Sequence, residues 1–353
     1  MTVRIISARR SAVVPRGGGF AGLDPHEIAA PVIAACLADA GIGPEDVDEV
    51  ICSNAIGPGG NVARVVALGA GLPERVAGLS LDRQCAGGLD AIMLGQALIA
   101  SGQARVVIAG GVESYSRRPL RAFQRAEGPE FYTQAPFTPW PERDPDMAEA
   151  ADQLGRLCGI SRQEADAWAV ESHLKTVCSE FPEIVEINEI RRDPFARKAS
   201  AKLMARSPVI AGDVTAGNAA VAADGAAFCV LMAGAQAQGR GVRIGRGRTL
   251  GATPDLPGLA PVAAIEAIDG AGADRVEIME AYAVQALACL RKAGIDPDRV
   301  NLKGGALARG HPIGASGAIL VVRLFHDLAR GETGLAAIAA AGGIGTALLF
   351  HRD

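Results

Sequence analysis

Aromatic residues are scarce, 4% of 353 positions, with two tryptophans, three tyrosines and nine phenylalanines. Stacking of unpaired bases needs a platform of such rings, so that mode of binding has little material here. A basic excess is missing too: 35 Lys and Arg stand against 39 Asp and Glu, for a net charge of −4. The densest basic cluster, Arg117 to Arg125, is interrupted by Pro119, Leu120 and Phe123. No nucleic-acid partner is expected. The motif CxxC is absent, and seven cysteines (36, 52, 85, 158, 178, 229, 289) are an odd number for a long chain. Both facts argue against a disulfide framework and for a reducing, cytoplasmic setting with mostly small buried thiols.

Long apolar runs are equally rare. The first twenty residues hold no stretch of signal-peptide length. The least charged run, Thr333 to Phe350, is long enough to span a bilayer, yet its four glycines fit two short buried strands and a turn better. No membrane association is expected. Neither HExxH nor a carboxylate cluster offers a metal site, and none is expected. The glycines around His311 lack the P-loop lysine. Gly343-Ile344-Gly345 lies too near the last residue to open a dinucleotide-binding βαβ unit.

What is present is core. Apolar residues make up 49% and charged ones 21%, and at about 150 residues per domain the length suggests two domain-sized units. Residues 40–47, AGIGPEDV, and 293–300, AGIDPDRV, agree at five of eight positions. Each follows a helical run and precedes a strand-like one, DEVICSNAI in the first case and NLKGGALA in the second. Downstream come QCAGGLDAIMLGQALIASG and RGHPIGASGAILVVRLFHDLARG, each followed by a buried strand and by Ala-Gly-Gly at 109–111 and 341–343. Helices alternating with short Val/Ile/Ala-rich strands predict an α/β fold with buried sheets. The repetition predicts two halves about a pseudo-two-fold axis. Residues 116–210 differ, with many prolines, both tryptophans and a polar helix opened by a Ser161/Glu164 capping box. They form an excursion from the duplicated core.

Two residues carry the chemistry. Cys85, in LDRQCAGGLDAI, falls where a strand meets a helix, and the helix N-terminus there would favour thiolate. His311, in GGALARGHPIGASGA, falls in the corresponding turn of the other half, with Pro312 keeping it out of a regular helix. A pseudo-two-fold would bring thiol and imidazole together, which implies acyl transfer through a thioester, with backbone N–H groups available for the oxyanion.

SARRSAVVPRGGGFAGL, GGNVARVVALGAGLP, QCAGGLDAI, DAWAVESHLK, GDVTAGNAAVAADGAAFCVLMA and NLKGGALARGHPIGASGA, in that order, resemble the motifs of the thiolase superfamily over nearly the whole chain. The resemblance implies a duplicated five-layered αβαβα core with an inserted loop domain. Its parts would be residues 1–115 with 211–240 as the N-terminal half, 116–210 as a loop domain covering the coenzyme A site, and 241–353 as the C-terminal half. It implies an acyl-CoA acyltransferase that is acylated on Cys85 and activated by His311. The backbone N–H groups of Cys85 and Ala341 would serve as oxyanion donors, and Met147, Met279, Ala281 and Tyr282 would fall at the substrate pocket. Coenzyme A thioester would be the substrate, with no permanently bound cofactor, in a homodimer or homotetramer.

The departures bear on the chemistry. The family's Asn-Glu-Ala-Phe is Met279-Glu280-Ala281-Tyr282 here, and a thioether cannot donate the hydrogen bond by which the Asn holds a water. In the C-terminal Cys-x-Gly motif, Ala339 replaces the second catalytic cysteine and Ala341 the glycine. A deletion falls around EIRRDPFARKASAKLMARSP. Thiolysis or Claisen condensation, thioester exchange or hydrolysis alone, and a non-catalytic coenzyme A-binding scaffold all stay open at this level.

Overall fold

The computed structural model describes residues 1–353. The chain begins with β1 (Val3–Ser11), β2 (Val14–Pro15), α1 (Pro25–Ala40), β3 (Glu49–Ser53), α2 (Val62–Gly69), β4 (Leu79–Leu81), α3 (Gly87–Ala100) and β5 (Val106–Glu113). The excursion follows: hairpin β6 (Arg121–Arg125) and β7 (Gly128–Tyr132), α4 (Met147–Cys158), α5 (Arg162–Val177), β8 (Ile184–Val185), α6 (Ala201–Ala205), β9 (Val209–Ala211) and β10 (Val214–Thr215). The chain returns through β11 (Ala223–Ala233) and α7 (Gly234–Ala237). A second series then runs β12 (Val242–Gly251), α8 (Ala260–Ala267), β13 (Arg275–Ile278), α9 (Ala283–Ala293), α10 (Ala306–Arg309), α11 (Ile313–Asp327), β14 (Thr333–Ala340) and β15 (Ile344–His351). Ser161 caps α5 reciprocally with Glu164, as the sequence predicts.

The strands are ordered β13-β14-β15-β12-β1-β11-β5-β3-β4. The two halves meet where β1 and β12 pair antiparallel, at Arg4 with Arg243 and Ile5 with Val242. Outward from that join both sides read antiparallel, antiparallel, parallel: β1-β11-β5-β3 and β12-β15-β14-β13. The last parallel partner is β4 on one side and only a bridge from Val300 to Val276 on the other. This is the expected pseudo-two-fold.

The octapeptide repeat, however, is out of phase with it. Gly41 and Gly294 both end their helices in the left-handed region, at φ 67° and 66°, and a short turn follows each. The first copy leads into β3, but the second leads into Val300, the counterpart of β4. Ala-Gly-Ile-x-Pro thus encodes a helix stop with a glycine cap, usable at any helix-to-strand joint. NLKGGALA is not a strand; it turns and forms α10. Ala109–Gly111 lies inside β5, where a side chain on Gly110 would strike the backbone of β11, while Gly342 and Gly343 make the positive-φ turn from β14 to β15. Those two Ala-Gly-Gly segments are not equivalent.

Burial gives the layers. Helices α1 and α2 pack on the outer face of the first half-sheet, around Ile28, Val32, Val66 and Phe228. Helices α3 and α11 lie between the half-sheets, around Leu89, Ile92, Ile319 and Val322. Helices α8 and α9 cover the outer face of the second half, around Ile265, Ala286 and Leu290. The αβαβα arrangement is present. The excursion is fastened by buried charges: Arg10 holds Asp193 through two bonds of 2.9 and 3.1 Å, and Glu183 sits between Arg10 and Arg323. No helix is long and apolar enough to cross a membrane.

Candidate active site

Small residues set the position of the two central helices. A Cβ on Gly88 of α3 would stand 2.7 Å from the Ala318 nitrogen and 2.8 Å from the Gly314 oxygen. One on Gly317 of α11 would stand 2.5 Å from the Leu89 nitrogen. Only glycine permits backbones this close, and the contact brings the two helix N-termini side by side. Cys85 enters α3 from Gln84, which has φ 50°, and His311 enters α11 through Pro312.

The side chains meet. Cys85 Sγ lies 3.1 Å from His311 Nε2, and both residues are half-buried. The other ring nitrogen, Nδ1, is 2.6 Å from Ser316 Oγ, whose hydroxyl donates to the Pro312 carbonyl at 3.0 Å. A hydroxyl has one proton. With that proton on Pro312, Nδ1–H must donate to Ser316, and Nε2 presents its lone pair to the thiol. The histidine is held as a base.

Neither partner is charged at neutral pH. Burial pushes the Cys85 thiol up to about 12, with the Glu113 and Asp82 charges adding, while the nearby backbone N–H groups of Cys85 and Ala341 pull the other way. Burial, with the Arg309 charge, pushes His311 down to about 4. The expectation that the helix N-terminus favours a resting thiolate is therefore corrected: desolvation outweighs the dipole.

Beneath the pair lies Glu113, fully buried at the end of β5. Its carboxylate accepts from Asn54 Nδ2 at 2.8 Å and from the nitrogens of Ala55, Ile56 and Gly314 at 3.0, 3.3 and 3.0 Å. Burial pushes it up to about 7 against those donors. It ties the first turn of α11 to the loop after β3. Sequence reasoning missed both Glu113 and Ser316. The first had a signal, a carboxylate closing an otherwise apolar strand; the second lay hidden among small residues.

A cavity of about 320 Å³ opens over Cys85 and His311. Met147, Ala281, Tyr282, Ala339 and Ala341 line it. Met279 does not: it is 1% exposed and packs into the central core. Its assignment to the pocket is corrected, because the residue just after β13 turns inward while Ala281 and Tyr282 face the cavity. Glu280 is structural, accepting from Trp168 Nε1, Ser172 Oγ, Asn301 Nδ2 and the Leu307 nitrogen. No group of three or more His, Cys, Asp or Glu residues is placed to hold a metal.

Known proteins match this chain along its length. The thiolase N-terminal domain matches residues 3–235 and the thiolase C-terminal domain residues 241–352. A Bacillus subtilis (strain 168) protein named "Putative acetyl-CoA C-acetyltransferase YhfS" is 37% identical over 376 aligned positions, covering 99% of both chains. The crystal structure of the Bacillus anthracis acetyl-CoA acetyltransferase superposes with a TM-score of 0.89 at 33% identity, covering 99% of this chain and 98% of that one. Acat5 thiolase from Ascaris suum, in complex with coenzyme A, superposes at 0.93 with 26% identity and full coverage of both.

Proposed function

The chain belongs to the thiolase family, and from that premise we propose that it takes an acyl group from an acyl-CoA onto Cys85. The observation that carries this reading is the 3.1 Å approach of Nε2 to Sγ in a cavity that Cys85, His311 and Ala341 line together. Nε2 takes the thiol proton as Sγ attacks the thioester carbonyl carbon. The carbonyl electrons move to oxygen, where the N–H groups of Cys85 and Ala341 receive them. Collapse re-forms the carbonyl, breaks the bond to coenzyme A, and returns the proton from His311 to the departing thiolate. Coenzyme A in the Ascaris suum neighbour supports coenzyme A thioester as the substrate. The helix α4 supports assignment of residues 116–210 as a cover, since Met147, Ala150 and Leu154 line the cavity. The remaining division, 1–115 with 211–240 and 241–353, rests on the strand symmetry. Seven free thiols fit a reducing, cytoplasmic setting.

A second reading, thioester exchange or hydrolysis without carbon–carbon chemistry, is favoured by Ala339. It lines the cavity at the position where the family carries its second cysteine, and a methyl group moves no proton. The purified protein is incubated separately with acetyl-CoA and acetoacetyl-CoA, and modified peptides and free coenzyme A are identified by mass spectrometry. An acetyl adduct on Cys85 is expected with acetyl-CoA. Its absence with both substrates would remove the acyl-enzyme reading.

A further inference from the structure

Beside the catalytic cavity lies a second one of about 280 Å³, and the two share Ile56, Tyr115, Arg121 and Thr133 as walls. Arginines Arg118 and Arg121 line it. Their neighbours in sequence, Arg117 and Arg125, pair with Asp24 and Glu130. Arg118 and Arg121 pair with no carboxylate. The Arg118 guanidinium is laid over the Tyr115 ring, 4.3 Å from its centroid, and its Nη1 is buried with no hydrogen-bond partner. Arg121 gives one Nη2 bond to the Ala55 carbonyl at 3.1 Å. Arg16 adds a third cation at 5.7 Å from the same ring.

A buried guanidinium nitrogen without an acceptor is costly, and structures rarely leave one so. Here the rest of the Arg118 side chain lines a cavity that adjoins the catalytic one, beside a second cation, Arg121, that also lacks an anion. We propose that this cavity receives an anionic group at the far end of the acyl chain, so that the preferred substrate is the coenzyme A thioester of a dicarboxylic acid. The proposal rests on the reading of Cys85 as the site of acyl transfer. The carboxylate lies against Arg118 and Arg121 while the thioester carbonyl lies at Cys85, and the methylenes between them cross the shared wall of Ile56 and Tyr115. Tyr115 holds Arg118 flat by stacking, which lets the guanidinium meet a carboxylate edge-on.

Binding and chemistry are tested apart. Adipoyl-CoA and hexanoyl-CoA have equal chain lengths and differ in the terminal carboxylate. Calorimetric titration into the Cys85→Ala protein at low ionic strength reads the cavity without any acylation. Adipoyl-CoA should bind at least about tenfold tighter, the size of one charge-assisted contact. In Cys85→Ala with Arg118→Gln the ratio should fall to within about twofold. Equal binding of the two thioesters with Arg118 in place overturns the proposal. So does an Arg118→Gln change that weakens both equally, because the cavity would then be receiving a phosphate of coenzyme A. The protein with Cys85 intact supplies the second reading, as the ratio of adduct formation rates. A chain that binds adipoyl-CoA selectively but never forms the adduct keeps the subsite and loses the acyl-enzyme reading.

Discussion

At the scale of single residues, the site is a neutral pair that becomes reactive by internal proton transfer. With Cys85 raised to about 12 and His311 lowered to about 4, the resting thiol stays un-ionised. Alkylation by iodoacetamide runs fastest with neutral Nε2 taking the proton as the carbon–sulfur bond forms, a route whose reactants do not change with pH between those values. The rate at Cys85 should be flat from about pH 5.5 to 8, losing its base only as His311 protonates below that range. A rise of about tenfold per pH unit across the same interval would mean an unassisted thiol. His311→Ala should lower the plateau by about 10²-fold or more. Ser316→Ala leaves Nδ1–H without its acceptor and should lower it less, through loss of the fixed tautomer. The pair itself was legible in the sequence, because cysteine and histidine each stood in a glycine-rich turn before a long helix. The direction of the shifts was not. They depend on desolvation by residues far away in sequence. The same limit applies to Met279. Its Asn counterpart would have to be solvated, yet the core closes over it, so Met279→Asn should cost about 3 kcal/mol in a denaturant titration. Ala339→Cys is the change that should raise acetoacetyl-CoA cleavage by itself. If the unaltered protein already cleaves that substrate at about 10 per second, near the enzyme median, another group carries the proton. Tyr282→Phe is then the first test, since Cys229 is sealed in the central core and Cys289 donates to the Gly258 carbonyl.

At the scale of elements, catalysis depends on how near α3 and α11 approach. Gly88→Ala and Gly317→Ala both place a methyl group against the backbone of the opposite helix, which cannot rotate away. Each should destabilise the fold by about 1–3 kcal/mol. Each should also reduce Cys85 acylation by about 10²-fold, because a displacement near 1 Å suffices to spoil a reacting geometry. Chemical denaturation and adduct kinetics on the same samples read the two effects. A variant that loses stability yet acylates at the unaltered rate would show that the close approach is not what sets the pair. Glu113→Gln tests the other fastening. The carboxylate receives four N–H donors, and an amide would turn its own NH₂ toward two of them. Stability should fall by about 2–4 kcal/mol at pH 8. Since burial raises Glu113 to about 7, the native protein should lose stability as pH rises from the unfolded carboxyl value near 4.5 through 7, a loss the amide variant lacks. Helix existence and order were readable from periodicity and caps. The phase of the repeat was misread because Gly41 and Gly294 share a local stop signal, and local chemistry does not say which step of a duplicated series it belongs to.

At the scale of the whole molecule, the duplicated halves could be seen in the sequence because each repeats a buried strand-helix-strand unit. The excursion could not be resolved in the same way. Its position depends on long-range buried charges, Arg10 with Asp193 and Arg323 with Glu183, which no spacing rule connects. One surface is left unmatched by this architecture. The path of nine strands ends at β4, whose Leu79 is 43% exposed, and the adjoining α2 presents Val65 and Leu68 at 50% and 46%. On the other side the corresponding edge is shortened to the Val300 bridge and shows no such leucine. An exposed apolar edge strand is a template for pairing with another chain, and soluble proteins seldom leave one open. Pairing of β4 with its copy about a two-fold axis would continue the sheet and cover both α2 faces. This agrees with the dimer or tetramer that the family resemblance implies. Light scattering at micromolar concentration should therefore give twice the chain mass of 36.1 kDa or a multiple of it. Val65→Asp with Leu68→Asp sets like charges facing across that axis and should shift the protein to monomer, with a lower and concentration-independent Tm. A wild-type protein that scatters as a monomer, or a double variant that still dimerises, would place any self-association elsewhere on the surface. The catalytic pair lies within one chain, so the monomeric variant should retain a measurable Cys85 adduct, and loss of the adduct would mean that the edge also steadies the loop between β4 and Cys85.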